Sequence, residues 1–449
     1  MLNYCGSDIS EWDAVLKNGL SGTNVHQRPG YAQIGYVESQ AVKRAEYENK
    51  AGALLTPALN ATGDLNLSFR AMAYKTCSVR GLGKATEPKD KKGDLTEIVV
   101  EVIGGVEPAR TFVLKALRSG KSVVTSNKEL VCKHWYELEE AAKNMNVGLY
   151  FEASCVGGVP IIRTLLDGTQ ANRISSIMGI INGTTNYILT RMAEDGRSYP
   201  EVLAEAQALG YAESDPTADV EGFDAAYKLS ILSSLAFNTK IPLENVSRTG
   251  ITGVTKEDIY YGKKLGYTLK LLGIGKRSEK GIEVRVHPTL VSDRNPLASV
   301  SDAFNAVKIV GDSVGDIMLY GRGAGALPTG SAIVSDVLYA AKHPEISYSS
   351  FKNTREADKN TKFTADFSSK YCIRMREKDR NGVLAKVSGI MGKNDIGMHL
   401  VEQIGSADGA AVLVLITHET HESHIAKVLE KFRELEEVLS IDSVLKVEE

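Results

Sequence analysis

Little in these 449 residues supports disulfide chemistry, membrane insertion or nucleic-acid binding. The five cysteines (Cys5, Cys77, Cys132, Cys155, Cys372) are odd in number and scattered, which argues for reduced thiols rather than a disulfide framework. No apolar run reaches the roughly 20 residues of a membrane span, and the start of the chain lacks a basic-then-apolar signal pattern. Neither charge dominates: 53 Lys and Arg against 56 Asp and Glu leave a formal net charge of -3, so there is neither a basic surface for nucleic acid nor a strong acidic field. Residues 1–93 also lack β-branched runs, a sustained helical stripe and the Gly-x-Gly-x-x-Gly spacing of a phosphate-binding turn. What remains is an ordinary soluble composition, expected in the cytoplasm, and too long for a single core.

From Thr96 the texture changes. Ile98-Val-Val-Glu-Val-Ile103 reads as a buried strand ended by Gly104-Gly105, and Pro108 opens a helix to about Arg118. Ser122 to Thr125 is a second strand leading through Asn127-Lys128 into a helix, and Leu149 to Phe151 is a third. Short links between alternating strands and helices predict a Rossmann-like, doubly wound α/β sheet, whose ligands sit at the carboxyl ends of the strands. Those ends are Gly104-Gly105, Thr125 to Lys128, and Glu152 to Gly158. Beyond residue 170 the alternation loosens into an α+β pattern. Strands are expected at 174–181, 267–274, 282–287, 305–310 and 317–320, and helices at 185–192, 198–210 and 224–237. Gly321-Arg-Gly-Ala-Gly325 precedes a helix from about Ser331; its glycines suit either a flexible turn or a close backbone contact with a ligand. Residues 370–449 follow the order βαββαβ of a ferredoxin-like unit. The expected division is a nucleotide-binding domain at 1–150, a substrate and dimerisation domain at 151–320, a returning segment at 321–345, a linker at 346–369 and a regulatory domain at 370–449.

The stretch richest in chemistry runs from Asn182-Gly-Thr-Thr-Asn-Tyr187 to Lys228. Glu213, Asp215, Asp219, Glu221 and Asp224 crowd ahead of one lysine, and Asp224 and Lys228 are spaced to share a helix face. A solvated acidic loop followed by a helix ion pair would explain this. So would a pocket for a substrate ammonium: at an effective dielectric of about 20, two like charges 4 Å apart cost roughly 4 kcal/mol until something cationic neutralises them. Lys128 at a strand end can reach a ligand or be an ordinary surface lysine. Glu152 with neighbouring carbonyls could face a hard, monovalent cation. Cys155 reads as a small buried hydrophobe rather than a nucleophile, and His418, His421 and His424 as a solvated face.

These residues resemble homoserine dehydrogenase in its long bacterial form with a C-terminal ACT domain. The likeness rests on Ile98 to Ala109, Val124-Thr-Ser-Asn-Lys-Glu-Leu130, Phe151-Glu-Ala-Ser154, Gly179 to Ile188, the whole of Gly210 to Leu229, Val286-His-Pro288 and Tyr320-Gly-Arg-Gly-Ala-Gly325. The resemblance implies NADP- or NAD-dependent interconversion of L-homoserine and L-aspartate 4-semialdehyde, in the biosynthesis of threonine and methionine. It also implies roles. Lys228 would move the proton, with Lys128 as a second lysine near cofactor and substrate. Glu213, Asp219, Asp224 and Thr184 would hold the substrate. Gly104, Thr125, Lys128, Gly210 and Gly325 would contact the cofactor. Glu152 with the carbonyls of Cys155, Gly157 and Val159 would form a sodium site. An amino-acid effector at the ACT domain and a homodimer are further implications; no nucleic-acid or membrane partner is expected. The likeness begins near Thr96, so the sheet is expected to lack its first strand–helix unit. The alternative reading is therefore a relative impaired in cofactor binding that keeps an amino-acid-sensing ACT domain.

Overall fold

The computed structural model describes residues 71–72, 98–343, 361–405 and 409–449. The readings of Cys5, of Cys77 and of most of the linker lie outside them. In chain order the first elements are β1 (Ala71–Met72), β2 (Ile98–Glu101), α1 (Ala109–Arg118), β3 (Ser122–Thr125), α2 (Lys128–Met145), β4 (Leu149–Tyr150) and β5 (Ile174–Ile180). Four helices follow: α3 (Gly183–Asp195), α4 (Tyr199–Ala208), α5 (Thr217–Val220) and α6 (Phe223–Phe237). Next come β6 (Val246–Arg248), α7 (Lys256–Lys264), β7 (Tyr267–Ser278), β8 (Gly281–Ser292), β9 (Phe304–Gly311), β10 (Gly315–Arg322) and α8 (Ala326–Lys342). The last part holds β11 (Ser368–Lys378), α9 (Val383–Lys393), β12 (Met398–Gly405), β13 (Ala410–Thr417), β14 (Thr420–His421), α10 (Glu422–Arg433) and β15 (Val438–Glu448). They fall into two units. The first takes in the described residues of Met1–Ile177, Tyr227–Leu243 and Val307–Asn360; the second takes in Met178–Ala226, Glu244–Ala306 and Thr361–Glu449.

In the first unit β1, β2, β3 and β4 form a sheet in that order, all parallel. The register sets Val100 beside Val124 and Glu101 beside Thr125, so both carboxyl ends finish level. β1 corrects the expectation that no strand precedes Thr96. It pairs Ala71 with Val100 and Met72 with Glu101. Two residues without a β-branched side chain give no alternation to read, which is why the sequence hides it. Helix α8 returns to this sheet: Ala332, Ile333, Val337 and Ala340 pack on Ile98, Val100, Val102 and Val124. It begins at Ala326, five residues ahead of the expected Ser331, because Pro328 falls within its first turn, where a missing N–H costs nothing. After Pro160 a short helix, Ile161–Arg163, continues as a π-helical turn over Thr164–Gly168.

In the second unit β7, β8, β15, β11, β13 and β12 lie side by side in one sheet. β7 and β8 run antiparallel over their full lengths, and Leu272, Ile274 and Val291 pack with Met178, Ile180 and Leu297. The βαββαβ order from β11 to β15 is as expected. Its core places Tyr371, Ile373 and Met375 against Val387 and Met391 of α9 and Ile425, Val428 and Phe432 of α10. β15 pairs in parallel with β8, Lys446 to Thr289 and Glu448 to Val291, so this sheet continues the one ahead of it. The end of the expected linker is structured: Lys362 accepts from Ile282 N–H at 2.8 Å and Thr364 donates to Ile282 at 3.0 Å. The capping box at Ser198 and Glu201 is present, with Pro200 in the first turn of α4.

Candidate active site

Each unit carries its own cluster of polar residues. In the first, the carboxyl ends of β2 and β3 are tied by a carboxylate that the sequence reading passed over. Glu101 is fully buried. Its Oε1 accepts the N–H of Ile103 at 2.6 Å and of Gly104 at 3.3 Å, and its Oε2 accepts the Thr125 hydroxyl at 2.5 Å. Thr125 Oγ1 accepts the Asn127 N–H at 3.0 Å. Asn127 caps α2 by accepting from Leu130 N–H, while its amide donates to the Gly105 carbonyl at 2.6 Å. This network shapes the Gly104-Gly105 turn, where φ is +77° and +69°, a region that favours glycine. A Cβ on Gly105 would meet nothing within 4 Å, so the turn is open on that side. Lys128, half-buried, is the first residue of α2. The one available signal for Glu101 was an acid inside an otherwise apolar strand.

The loop from Glu152 to Val159 is strained and tightly packed. Val156, a β-branched residue, has φ +56°, and Gly157 has φ +51°. A Cβ on Gly157 would lie 2.3 Å from the Gly323 carbonyl oxygen, and Gly158 N–H donates to the Arg322 carbonyl at 3.0 Å. Gly157 and Gly158 therefore let this backbone meet that of 322–328. Gly325, at φ +108°, starts α8. Cys155 has no exposure, and its sulfur lies 4.0 Å from the Lys228 carbonyl oxygen, which supports the reading of a buried thiol. Glu152 Oε1 accepts Ile162 N–H at 2.9 Å and Oε2 accepts Arg163 N–H at 2.8 Å. Burial, then the charge of Asp336, pushes the Glu152 carboxyl up to about 7. Each carboxylate oxygen keeps a further lone pair beside its backbone partner, so Glu152 and the loop's carbonyls can face a cation together. The donor set of one carboxylate and several carbonyls fits a monovalent ion better than a divalent one. Among the described residues no group of three or more His, Cys, Asp or Glu could hold a metal.

In the second unit the organising residue is Asn182, between β5 and α3. Its side-chain oxygen accepts the N–H and the hydroxyl of Thr185, each at 2.8 Å, capping α3. Its amide nitrogen donates to Asp219 Oδ1 at 2.7 Å and to Asp224 Oδ2 at 2.9 Å. Asp224 is buried, with 6% exposure, and opens α6 one turn ahead of Lys228, which is half-buried. The residues between Gly210 and Asp224, expected as a loop, hold the one-turn helix α5. Thr184 donates to the Tyr211 carbonyl at 2.8 Å, and the Tyr187 and Tyr211 rings stack at 4.4 Å. Gly210 precedes them at φ +77°. Gln207 donates to the carbonyls of Glu213 and Ser214, leaving the Glu213 side chain exposed. At the far end of the loop, Arg248 of β6 donates to the Glu221 carbonyl and lies 3.5 Å from the Phe223 ring centre. Thus Asp219 and Asp224 are brought together by an amide, Thr184 anchors the start of the loop, and Glu213 is exposed.

The family model for homoserine dehydrogenase matches residues 160–338, that for the homoserine dehydrogenase NAD binding domain residues 58–152, and that for the ACT domain residues 373–437. The homoserine dehydrogenase of Bacillus subtilis is 43% identical over 356 residues, 78% of this chain and 82% of its own length. The chain belongs to the homoserine dehydrogenase family. A homoserine dehydrogenase from Thiobacillus denitrificans superposes with a TM-score of 0.80 at 37% identity, over 93% of this chain and 99% of that one. A hyperthermophilic archaeal homoserine dehydrogenase in complex with NADPH gives a TM-score of 0.50 at 28% identity, over 66% and 83%. The chain is an NAD(P)-dependent oxidoreductase that interconverts L-homoserine and L-aspartate 4-semialdehyde. The NAD-binding match begins at residue 58, well ahead of the Thr96 at which the sequence resemblance starts. The alternative of an impaired relative rested on that whole segment departing from the family, and nothing favours it over the active enzyme. Among the described residues no helix is long and apolar enough to cross a membrane.

Proposed function

We propose that Lys228 gives the proton to the aldehyde oxygen of L-aspartate 4-semialdehyde, and takes it from the hydroxyl of homoserine in reverse. Asp224 and Glu213 hold the substrate ammonium, with Asp219 and Thr184 beside them. One observation supports this above the rest: two carboxylates share one amide, and one of them opens the helix that carries Lys228 a turn later. The nicotinamide, when bound, supplies the hydride in one direction and removes it in the other. As charge develops on the substrate oxygen, a nearby ammonium both stabilises it and donates, an effect typically worth about 10²–10⁴-fold. Lys128, at the N-terminus of α2, serves as a second cation near cofactor and substrate. Gly104, Thr125, Gly210 and Gly325 receive the cofactor, NADP or NAD. Loop carbonyls of Cys155, Gly157 and Val159 hold a sodium ion, with Glu152 anchoring the loop. The enzyme acts in the cytoplasm as a homodimer, and its ACT domain takes an amino-acid effector. Lys228→Ala should lower kcat at least 100-fold with its circular-dichroism spectrum unchanged, following the lower bound for acid catalysis. Turnover near that of the wild type would overturn the assignment.

A further inference from the structure

We infer that Asn182 is a positioning residue of the reaction: it holds Asp219 and Asp224 together at the substrate ammonium. The inference rests on the reading that Asp224 receives the ammonium with Asp219 beside it, and adds to it the group that holds the two acids in place. The direction of the amide is set by its surroundings. Thr185 N–H can only donate, so the atom 2.8 Å from it is the oxygen of Asn182. The atom 2.7 Å from Asp219 and 2.9 Å from Asp224 is then the NH₂ group, whose two hydrogens match two carboxylate acceptors.

Capping alone does not explain an asparagine here. Aspartate, serine and asparagine cap helices about equally well, because each offers one side-chain oxygen. What asparagine adds is the pair of donors on the other side, and both are used. Asn182 is itself buried, with 4% exposure, so water does not substitute for them. Two carboxylates within reach of one nitrogen repel each other, and like charges so placed push one of the pair towards the protonated form. A protonated carboxyl would attract the substrate ammonium far less than a carboxylate does. The neutral donor pair quiets the repulsion without supplying a charge that would compete with the ammonium. Other charged groups lie along the same stretch. Lys228 follows Asp224 on α6, Glu213, Asp215 and Glu221 add negative charge along the loop, and Arg248 spends its hydrogen bond on the Glu221 carbonyl.

Asn182→Asp is the decisive variant, since it keeps the capping oxygen and turns the donor into a third acceptor. Asn182→Ser keeps a capping oxygen and removes the donor pair without adding charge. Both are to be assayed as the full enzyme, with kcat and KM for L-homoserine and for the cofactor measured across pH 6–10. For Asn182→Asp we expect the acidic limb of kcat/KM for homoserine to move up by at least one pH unit. We expect the homoserine KM to rise at least tenfold in both variants, while the cofactor KM stays within twofold. A helix cap acting through stability alone would move neither the limb nor the split between the two KM values. Superimposable pH profiles and homoserine KM values within twofold of wild type would overturn the role of Asn182. They would leave that of Lys228 to its own test.

Discussion

Glu101 offers the sharpest test of how the cofactor end of the first unit is built. Replacing it with alanine strands the N–H of Ile103, the N–H of Gly104 and the hydroxyl of Thr125, which now converge on one buried carboxylate. The bond to Gly104 is long, at 3.3 Å, and only part-buried, so water can replace it. The other two are short and fully buried. Hydrogen bonds to a charged group are worth about 1.5–3 kcal/mol each, so we expect Glu101→Ala to cost about 3–6 kcal/mol. That is a large share of the roughly 5–15 kcal/mol that holds a typical domain together. Glu101→Gln keeps an oxygen for the two N–H groups and turns an amide towards Thr125 Oγ1, so about 1 kcal/mol is expected. Trp135, buried in α2 of the same unit, is a local fluorescence reporter for urea unfolding. The cofactor KM should rise tenfold or more in the glutamine variant as the Gly104-Gly105 turn loosens, with the homoserine KM nearly unchanged. The reasoning is refuted if Glu101→Ala unfolds at the wild-type urea concentration and binds cofactor equally well.

Gly157→Ala places a Cβ 2.3 Å from a backbone carbonyl at φ +51°, and should cost about 2–3 kcal/mol through strain and overpacking, read as an earlier urea midpoint. Glu152 makes the first unit pH-sensitive. Because its folded carboxyl is raised from 4.5 to about 7, its contribution to stability is full below pH 4.5 and lost as pH rises through 7. That shift corresponds to at most about 3 kcal/mol, and the resulting slope in unfolding midpoint against pH should be absent in Glu152→Gln.

The strands and helices from β2 onward were legible because their periodicity is carried by many residues and their ends by glycine, proline and capping boxes. Ser198 with Glu201 shows this well, since both halves of the box form. What escaped has a physical reason in each case. β1 is two residues long and exists through pairing with β2, a non-local fact. α5 is a single turn inside a loop whose acidic composition hides it. In the site, Asp219, Asp224 and Lys228 stood out as a cluster of charge. Asn182, Glu101 and Asn127 did not, because a neutral amide or a lone acid within an apolar run acquires meaning only from partners far along the chain. Glu101 reaches Thr125 and Asn182 reaches Asp224, separations that no local pattern reports.

Helix α6 explains why the charge cluster could be read so directly. Asp224 and Lys228 lie on one helix, so their spacing is set by its rise, about 6 Å along the axis for four residues. No loop intervenes to blur it. The rest of the helix is held on nearly every side: Ala225, Leu229, Ile231, Leu232, Leu235 and Phe237 are all buried. Two of its three serines bind backbone, Ser230 to the Ile241 carbonyl at 2.7 Å and Ser234 to the Ser230 carbonyl at 2.6 Å. A helix that is apolar all round is one buried in a core, and such an element cannot rotate or slide without unpacking. Asp224 and Lys228 thus sit on a rigid element, the placement that the proposed catalytic geometry requires. The loop ahead of Asp224 has no such support of its own. It is fixed instead at discrete points: Asn182 at Asp219, Thr184 at Tyr211 and Arg248 at Glu221.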